Sequence, residues 1–214
     1  MSHLGILLAV VRLGAPFTDG AVLQRDRPVP IWGEAAPGET VRVSFGGQVC
    51  ETNADERGRW RVNLAPLAAS AESRELTVND MRIKDVLVGE VWLCSGQSNM
   101  VMPLYCPDVR FRDRQGSLVA QMTYKPLVRF ANLSCWHGSV AELPRPCRDC
   151  VWQQAIPKNL QQVHAFSAVG IYYALEIHSA LNVPVGVIGA YHGGTRIEAW
   201  TPKEGFATVA GLEA

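Results

Sequence analysis

Residues 89–100, Gly-Glu-Val-Trp-Leu-Cys-Ser-Gly-Gln-Ser-Asn-Met, constrain the fold more than any other stretch of this chain. Val91, Trp92, Leu93 and Cys94 form the short continuous apolar run of a strand buried on both faces, and Ser95, Gly96, Ser98 and Asn99 end it abruptly. Gly96 permits a sharp turn. A serine just past the carboxyl end of a central strand sits where open α/β sheets place their ligands, so the expectation is a strand that delivers a nucleophile. The turn is not the Gly-x-Ser-x-Gly elbow of α/β-hydrolases, because Met100 stands where the second glycine belongs.

A second strand end is expected to meet this one. Phe166, Val169, Ile171, Tyr172, Leu175 and Leu181 recur near 3.6-residue spacing and predict a helix over 163–181, closed by Asn182-Val183-Pro184. Residues 185–190 (Val-Gly-Val-Ile-Gly-Ala) then read as a buried strand, since Pro184 forbids helix continuation just before it. Helix followed by strand is βαβ grammar, which puts Tyr191-His192-Gly193-Gly194-Thr195 on the same sheet edge as Ser98. Residues 127–133 make a further strand of that sheet, while Pro103, Pro107 and the charged stretch 110–114 suggest a loop leading into a weak helix.

The first 84 residues have a different texture. Residues 29–32, 40–45, 48–52, 59–64 and 75–78 are short β-like runs separated by turn signals, among them Pro37-Gly38, Gly46-Gly47 and Glu56-Arg57-Gly58. In 40–45 the alternation is plain, with Val41, Val43 and Phe45 on one face, and Gly46-Gly47 joins this run to the next as a tight hairpin. The pattern predicts a small antiparallel β-sandwich over 1–84 and an α/β domain over 85–214, with the boundary near Asp85.

Composition narrows the partners. At 214 residues and 48% apolar content the chain buries a proper core. Twenty Lys and Arg balance 20 Asp and Glu, and no basic run exceeds two residues, so a nucleic-acid or acidic-membrane partner is disfavoured. The apolar segment 4–11 falls far short of the roughly 20 residues of a membrane span, and it lacks the basic start and small-residue cleavage site of a secretory leader. The six cysteines are scattered, and the one metal-like spacing, Cys147-Arg148-Asp149-Cys150, has no second pair to complete a zinc site.

Cys94-Ser95-Gly96-Gln97-Ser98-Asn99-Met100, taken with Gly193-Gly194-Thr195-Arg196-Ile197-Glu198-Ala199-Trp200, resembles the sialate O-acetylesterase family of the SGNH-hydrolase superfamily. The similarity extends to residues 17–33, which resemble the start of that family's amino-terminal β domain. The resemblance implies an incomplete SGNH-like, flavodoxin-like parallel sheet, an acetylated carbohydrate as substrate, an acetyl-Ser98 intermediate, and export from the cytoplasm. It implies no metal and no cofactor. Ser98 is the expected nucleophile, and Gly193 or Gly194 an oxyanion donor, because a glycine lets its N–H approach a substrate oxygen closely. Gln97, Asn99 and His192 are expected around the substrate, with Asn99 capping the following helix or orienting Ser98.

Each assignment has a plainer competitor. A strand-end serine is a common turn residue, and a glycine pair before a helix is a common turn. Glu198 and Trp200 are expected to anchor their loop rather than touch substrate, and His164 and His178 to be structural. The resemblance also calls for a Gln-Gly-Glu-like block and an Asp-x-x-His-like block, neither of which the sequence contains. His192 stands where the family pattern has tryptophan and Arg196 where it has proline, and neither replaces the missing base. The expectation is therefore half an active site, corresponding to the amino-terminal part of a longer esterase and inactive unless another segment supplies the histidine. An unpaired sheet edge and exposed apolar surface should accompany it. The rival reading is a non-catalytic carbohydrate-binding fragment.

Overall fold

The structure, a computed structural model, describes residues 11–103, 124–133, 150–159, 163 and 165–206. Its spine is a 16-residue strand, β8 (Met81–Gly96), numbered in chain order after β1 (Arg12–Leu13), β2 (Val22–Gln24), β3 (Val29–Glu34), β4 (Thr40–Phe45), β5 (Gln48–Asn53), β6 (Arg59–Leu64) and β7 (Ser70–Val78). The alternation read from the sequence holds: Val41, Val43 and Phe45 are buried in β4 while Thr40 and Arg42 face out. Gly46 and Gly47 both take positive φ (59° and 80°), the conformation a two-residue hairpin needs between β4 and β5. In β6, Trp60, Val62 and Leu64 turn inward and Arg59, Arg61 and Asn63 outward. A three-stranded antiparallel sheet, β1-β3-β6, shares one apolar core with β4, β7 and the first half of β8, joining Ile31 and Leu64 to Val43, Leu76 and Val86.

The second half of β8 enters a different neighbourhood. After β9 (Lys125–Asn132) and β10 (Gln153–Ala155), α2 (Ala168–Leu181) leads into β11 (Val185–Tyr191), which runs parallel to both β8 and β9. The large sheet is ordered β10-β9-β11-β8-β7-β4-β5, with β2 beside β8. It is thus a mixed sheet rather than the purely parallel one expected. Antiparallel pairings make it so, among them β8 with β7 at its start, before β8 runs parallel to β11 at its end, and β10 with β9. A second core lies under this end, built from Cys94, Val128, Phe130, Phe166, Ile171, Val185 and Val187.

Three further expectations are corrected. The run Val91–Cys94 is not buried on both faces: Trp92 is 40% and Leu93 62% exposed, and only Cys94 is buried. Among the described residues β8 has β11 on one side of Glu90–Gly96 and no strand on the other, so this half is an edge. Trp92 finds partial cover edge-on against Tyr173, with ring centroids 5.0 Å apart. The helix begins at Ala168 rather than 163, because Ser167 leaves helical geometry (φ −50°, ψ 121°) and its Oγ accepts the Gly170 N–H as an N-cap. The apolar periodicity overstates its buried face as well, since Val169, Tyr172 and Leu181 are exposed. Its end is as read: Asn182 adopts the left-handed conformation (φ 51°) and its N–H bonds His178 O. Past Pro103 the expected weak helix falls outside the described residues.

At the junction of the two cores sits Arg129, 3% exposed. Its guanidinium donates to Gly20 O (2.7 Å), to the Asp85 carbonyl, and to the Asp85 carboxylate (3.0 Å). Burial pulls the Arg129 pKa down and the Asp85 carboxylate opposes that, which keeps the cation paired. Asp85 holds a positive φ (58°) and accepts from Gln154 Nε2 as well (3.2 Å).

Candidate active site

β8 ends at Gly96, whose φ of 134° turns the chain sharply into a four-residue helix, α1 (Ser98–Val101). Gln97 is its N-cap, without a side-chain capping bond, so Asn99 is inside the helix and does not cap it as expected. Gln97, Ser98 and Asn99 are all exposed. The Ser98 hydroxyl donates to Gln97 Oε1 at 2.9 Å. A carboxamide oxygen accepts that bond but does not take the proton, so this contact orients the hydroxyl without activating it.

β11 brings the second turn to the same edge. Tyr191 pairs with Gly96 in the parallel ladder, and the His192 N–H donates to Gly96 O at 2.9 Å. Gly193 follows directly over α1: a Cβ built on it would lie 3.9 Å from Ser98 Cα and from Val101 Cγ2. Gly194 takes a positive φ (77°) with open space on its Cβ side. The loop beyond is tied down by Thr195 Oγ1 donating to His192 O and Trp200 Nε1 donating to Thr195 Oγ1, both at 2.8 Å. Ser98, Gln97, Asn99, His192, Gly193 and Gly194 therefore converge on one sheet edge. Glu198 and Trp200 lie in a short 3-10 turn, Ile197–Trp200. His178 is outside the site, its Nδ1 bonded to Val183 O (2.8 Å), while His3, His137 and His164 lie outside the described residues.

Behind the Ser98 turn is a polar network that the sequence reading did not single out. Tyr191 Oη donates to Asn132 Oδ1 (2.8 Å) and accepts from the Ser167 N–H (3.2 Å), and Ser167 Oγ reaches Met100 Sδ (3.3 Å). The Ala168 N–H donates to Met102 O (2.8 Å), so the α2 amino end holds the carboxyl end of α1. Burial raises the Tyr191 pKa, against the hydrogen bonds shared with Ser167 and Asn132, and burial likewise raises that of the Cys94 thiol. Asn132 at a strand end was the available signal, but nothing local ties it to a tyrosine 59 residues away. Among the described residues no group of three or more His, Cys, Asp or Glu side chains converges on a metal-sized space, and no helix is long and apolar enough to cross a membrane.

No protein-family model matches the chain. The sequence is 29% identical over 207 residues to the Homo sapiens protein named sialate O-acetylesterase, a match that covers 89% of this chain and 38% of that protein. The Mus musculus protein of the same name is 29% identical over 206 residues, covering 88% and 37%. The fold is similar to the crystal structure of a carbohydrate acetylesterase from Xanthomonas citri, with a TM-score of 0.77 and 33% identity over 91% of this chain and 43% of that one. The chain thus spans well under half the length of the relatives it matches. Over 89% of its length the chain is similar to part of the sialate O-acetylesterases, and over 91% to part of a carbohydrate acetylesterase.

Proposed function

We propose that the chain carries the nucleophile half of a carbohydrate O-acetylesterase. The observation that supports this best is the approach of Gly193 to Ser98, 3.9 Å between the built Cβ and Ser98 Cα, on the edge where two parallel strands end. In the reaction Ser98 Oγ attacks the acetyl carbonyl carbon and the C=O electron pair moves onto oxygen. The N–H groups of Ser98 and of Gly193 or Gly194 stabilise that oxyanion, each such donor contributing about 3 to 4 kcal/mol of barrier. Collapse breaks the bond to the sugar oxygen, which leaves with a proton, and water releases acetate from acetyl-Ser98. Gln97, Asn99 and His192 would line the substrate's approach. The base that takes the Ser98 proton is a histidine of the Asp-x-x-His kind, which this sequence does not contain.

The same reading treats 1–84 as a small β-sandwich and 85–214 as the first part of an SGNH-like domain; the second apolar core lies wholly within 94–187, while the first joins the amino-terminal strands to Val86, Leu87, Val88, Ala131 and Trp152. The Ser98–Gln97 bond favours one competitor, a non-catalytic carbohydrate-binding chain whose serine is never deprotonated. Hydrolysis of 4-nitrophenyl acetate by the chain and by Ser98→Ala, each with imidazole added to stand in for the missing histidine and read above the imidazole-only rate, separates the two. Turnover abolished by the substitution supports the esterase reading, and equal rates for the two proteins overturn it.

A further inference from the structure

We propose that the outer face of the β3–β6 pair is a second sugar subsite, remote from Ser98, that takes a pyranose bearing a carboxylate. A groove of about 540 Å³, within the size range of small-molecule sites, is lined here by Pro30, Trp32, Asp55, Arg59, Trp60 and Arg61. Strand alternation puts Trp32 and Arg61 outward, and the antiparallel register sets them directly opposite each other. Trp32 is 38% exposed yet held in place, its ring edge-on to Phe17 at 4.5 Å and so close to Gly14 that a Cβ there would lie 2.4 Å from its Nε1. A flat apolar surface that is already immobilised binds the C–H face of a sugar ring with little ordering cost.

The charges select an anion. Arg59 is neutralised by Asp55 at 3.0 Å, whereas Arg61 has no ion pair among the described residues and only a long contact, 3.4 Å, to Asn63 Oδ1. One uncompensated guanidinium beside an indole suits a carboxylate on a pyranose. The site shares no residue with the proposed catalytic edge, so it stands whether or not the chain hydrolyses esters.

The test titrates the whole chain with free N-acetylneuraminic acid and with its methyl ester, by calorimetry and by the indole N–H signals in NMR. Saturable binding on the order of 1 mM is expected, with the Trp32 signal shifting. Arg61→Gln, Trp32→Ala and use of the ester should each weaken it about five-fold or more, while Ser98→Ala binds as the parent does. Arg61 is exposed, so its substitution reads out recognition even where Trp32→Ala disturbs the fold. Absence of saturable binding, equal affinity in Arg61→Gln, or loss of binding in Ser98→Ala would each overturn the proposal.

Discussion

Replacing Arg129 by Met keeps the volume of the side chain and removes its charge and donors, which isolates what the buried guanidinium contributes. At 3% exposure it donates to Gly20 O and the Asp85 carbonyl and pairs with the Asp85 carboxylate. Breaking a buried ion pair by removing one partner costs about 3 to 5 kcal/mol. Asp85 is 40% exposed in its side chain, so water reaches the carboxylate left behind, which argues for the lower end, about 3 kcal/mol. For a chain of this size that is a fall in Tm of roughly 6 to 12 °C. Asp85→Asn is the sharper half of the test. Asn tolerates the left-handed backbone at 85, and the substitution strands the guanidinium without its counter-charge, so it should destabilise at least as much as Arg129→Met. Adding it to Arg129→Met should cost much less than its effect alone. Urea denaturation followed by circular dichroism gives all three values. A loss under about 1 kcal/mol for either single variant would refute the pairing as a structural determinant.

Gly89→Ala should be destabilising by about 1 to 3 kcal/mol in the same assay, because its Cβ would fall 2.0 Å from Pro184 O, where β8 begins to pair with β11. Gly193→Ala meets only ordinary contacts and should unfold within about 0.5 kcal/mol of the parent, yet its methyl group stands over Ser98 and should lower imidazole-supported acetyl-ester hydrolysis about ten-fold or more. Full hydrolysis in that variant would remove Gly193 from the site. The Asp55 carboxyl is held below the usual carboxylate range, chiefly by the Arg59 N–H and then by the Arg59 side chain and Arg57 N–H. Its folded pKa is depressed, so its contribution is present above pH of about 4 and lost as pH falls through the lower folded value. Asp55→Asn should flatten the stability profile below that pH, and an unchanged acid limb would contradict it. The Cys94 thiol, raised by burial, should react slowly with Ellman's reagent in the folded chain and readily in urea.

What could be read without coordinates was local or periodic. Thr40–Phe45, the Gly46-Gly47 hairpin and the Asn182–Pro184 helix stop carry their geometry in neighbouring residues, and they stand as read. The meeting of Ser98 with Gly193 was also legible, because helix followed by strand implies a parallel ladder and hence a common edge. An unpaired edge with exposed apolar surface was expected, but not that it would fall on Trp92 and Leu93. An apolar run reports what a strand offers, and whether a neighbour accepts it depends on pairing elsewhere. The helix start was misread because Phe166 fits the helical period from outside the helix. Arg129 with Asp85, 44 residues apart, and Tyr191 with Asn132 are long-range polar pairs for which no local pattern exists.

The long strand β8 has an energetic corollary. Its first half belongs to one apolar cluster and Cys94 near its end to the other, and its backbone pairs with β7 and β2 along the first half and with β11 along the second. Neither cluster can melt by itself without leaving half a strand of backbone donors and acceptors unsatisfied in the survivor. The two cores are welded into one cooperative unit, so damage as far from the serine as the β7–β8 ladder is felt in the population of molecules that hold Ser98 in place.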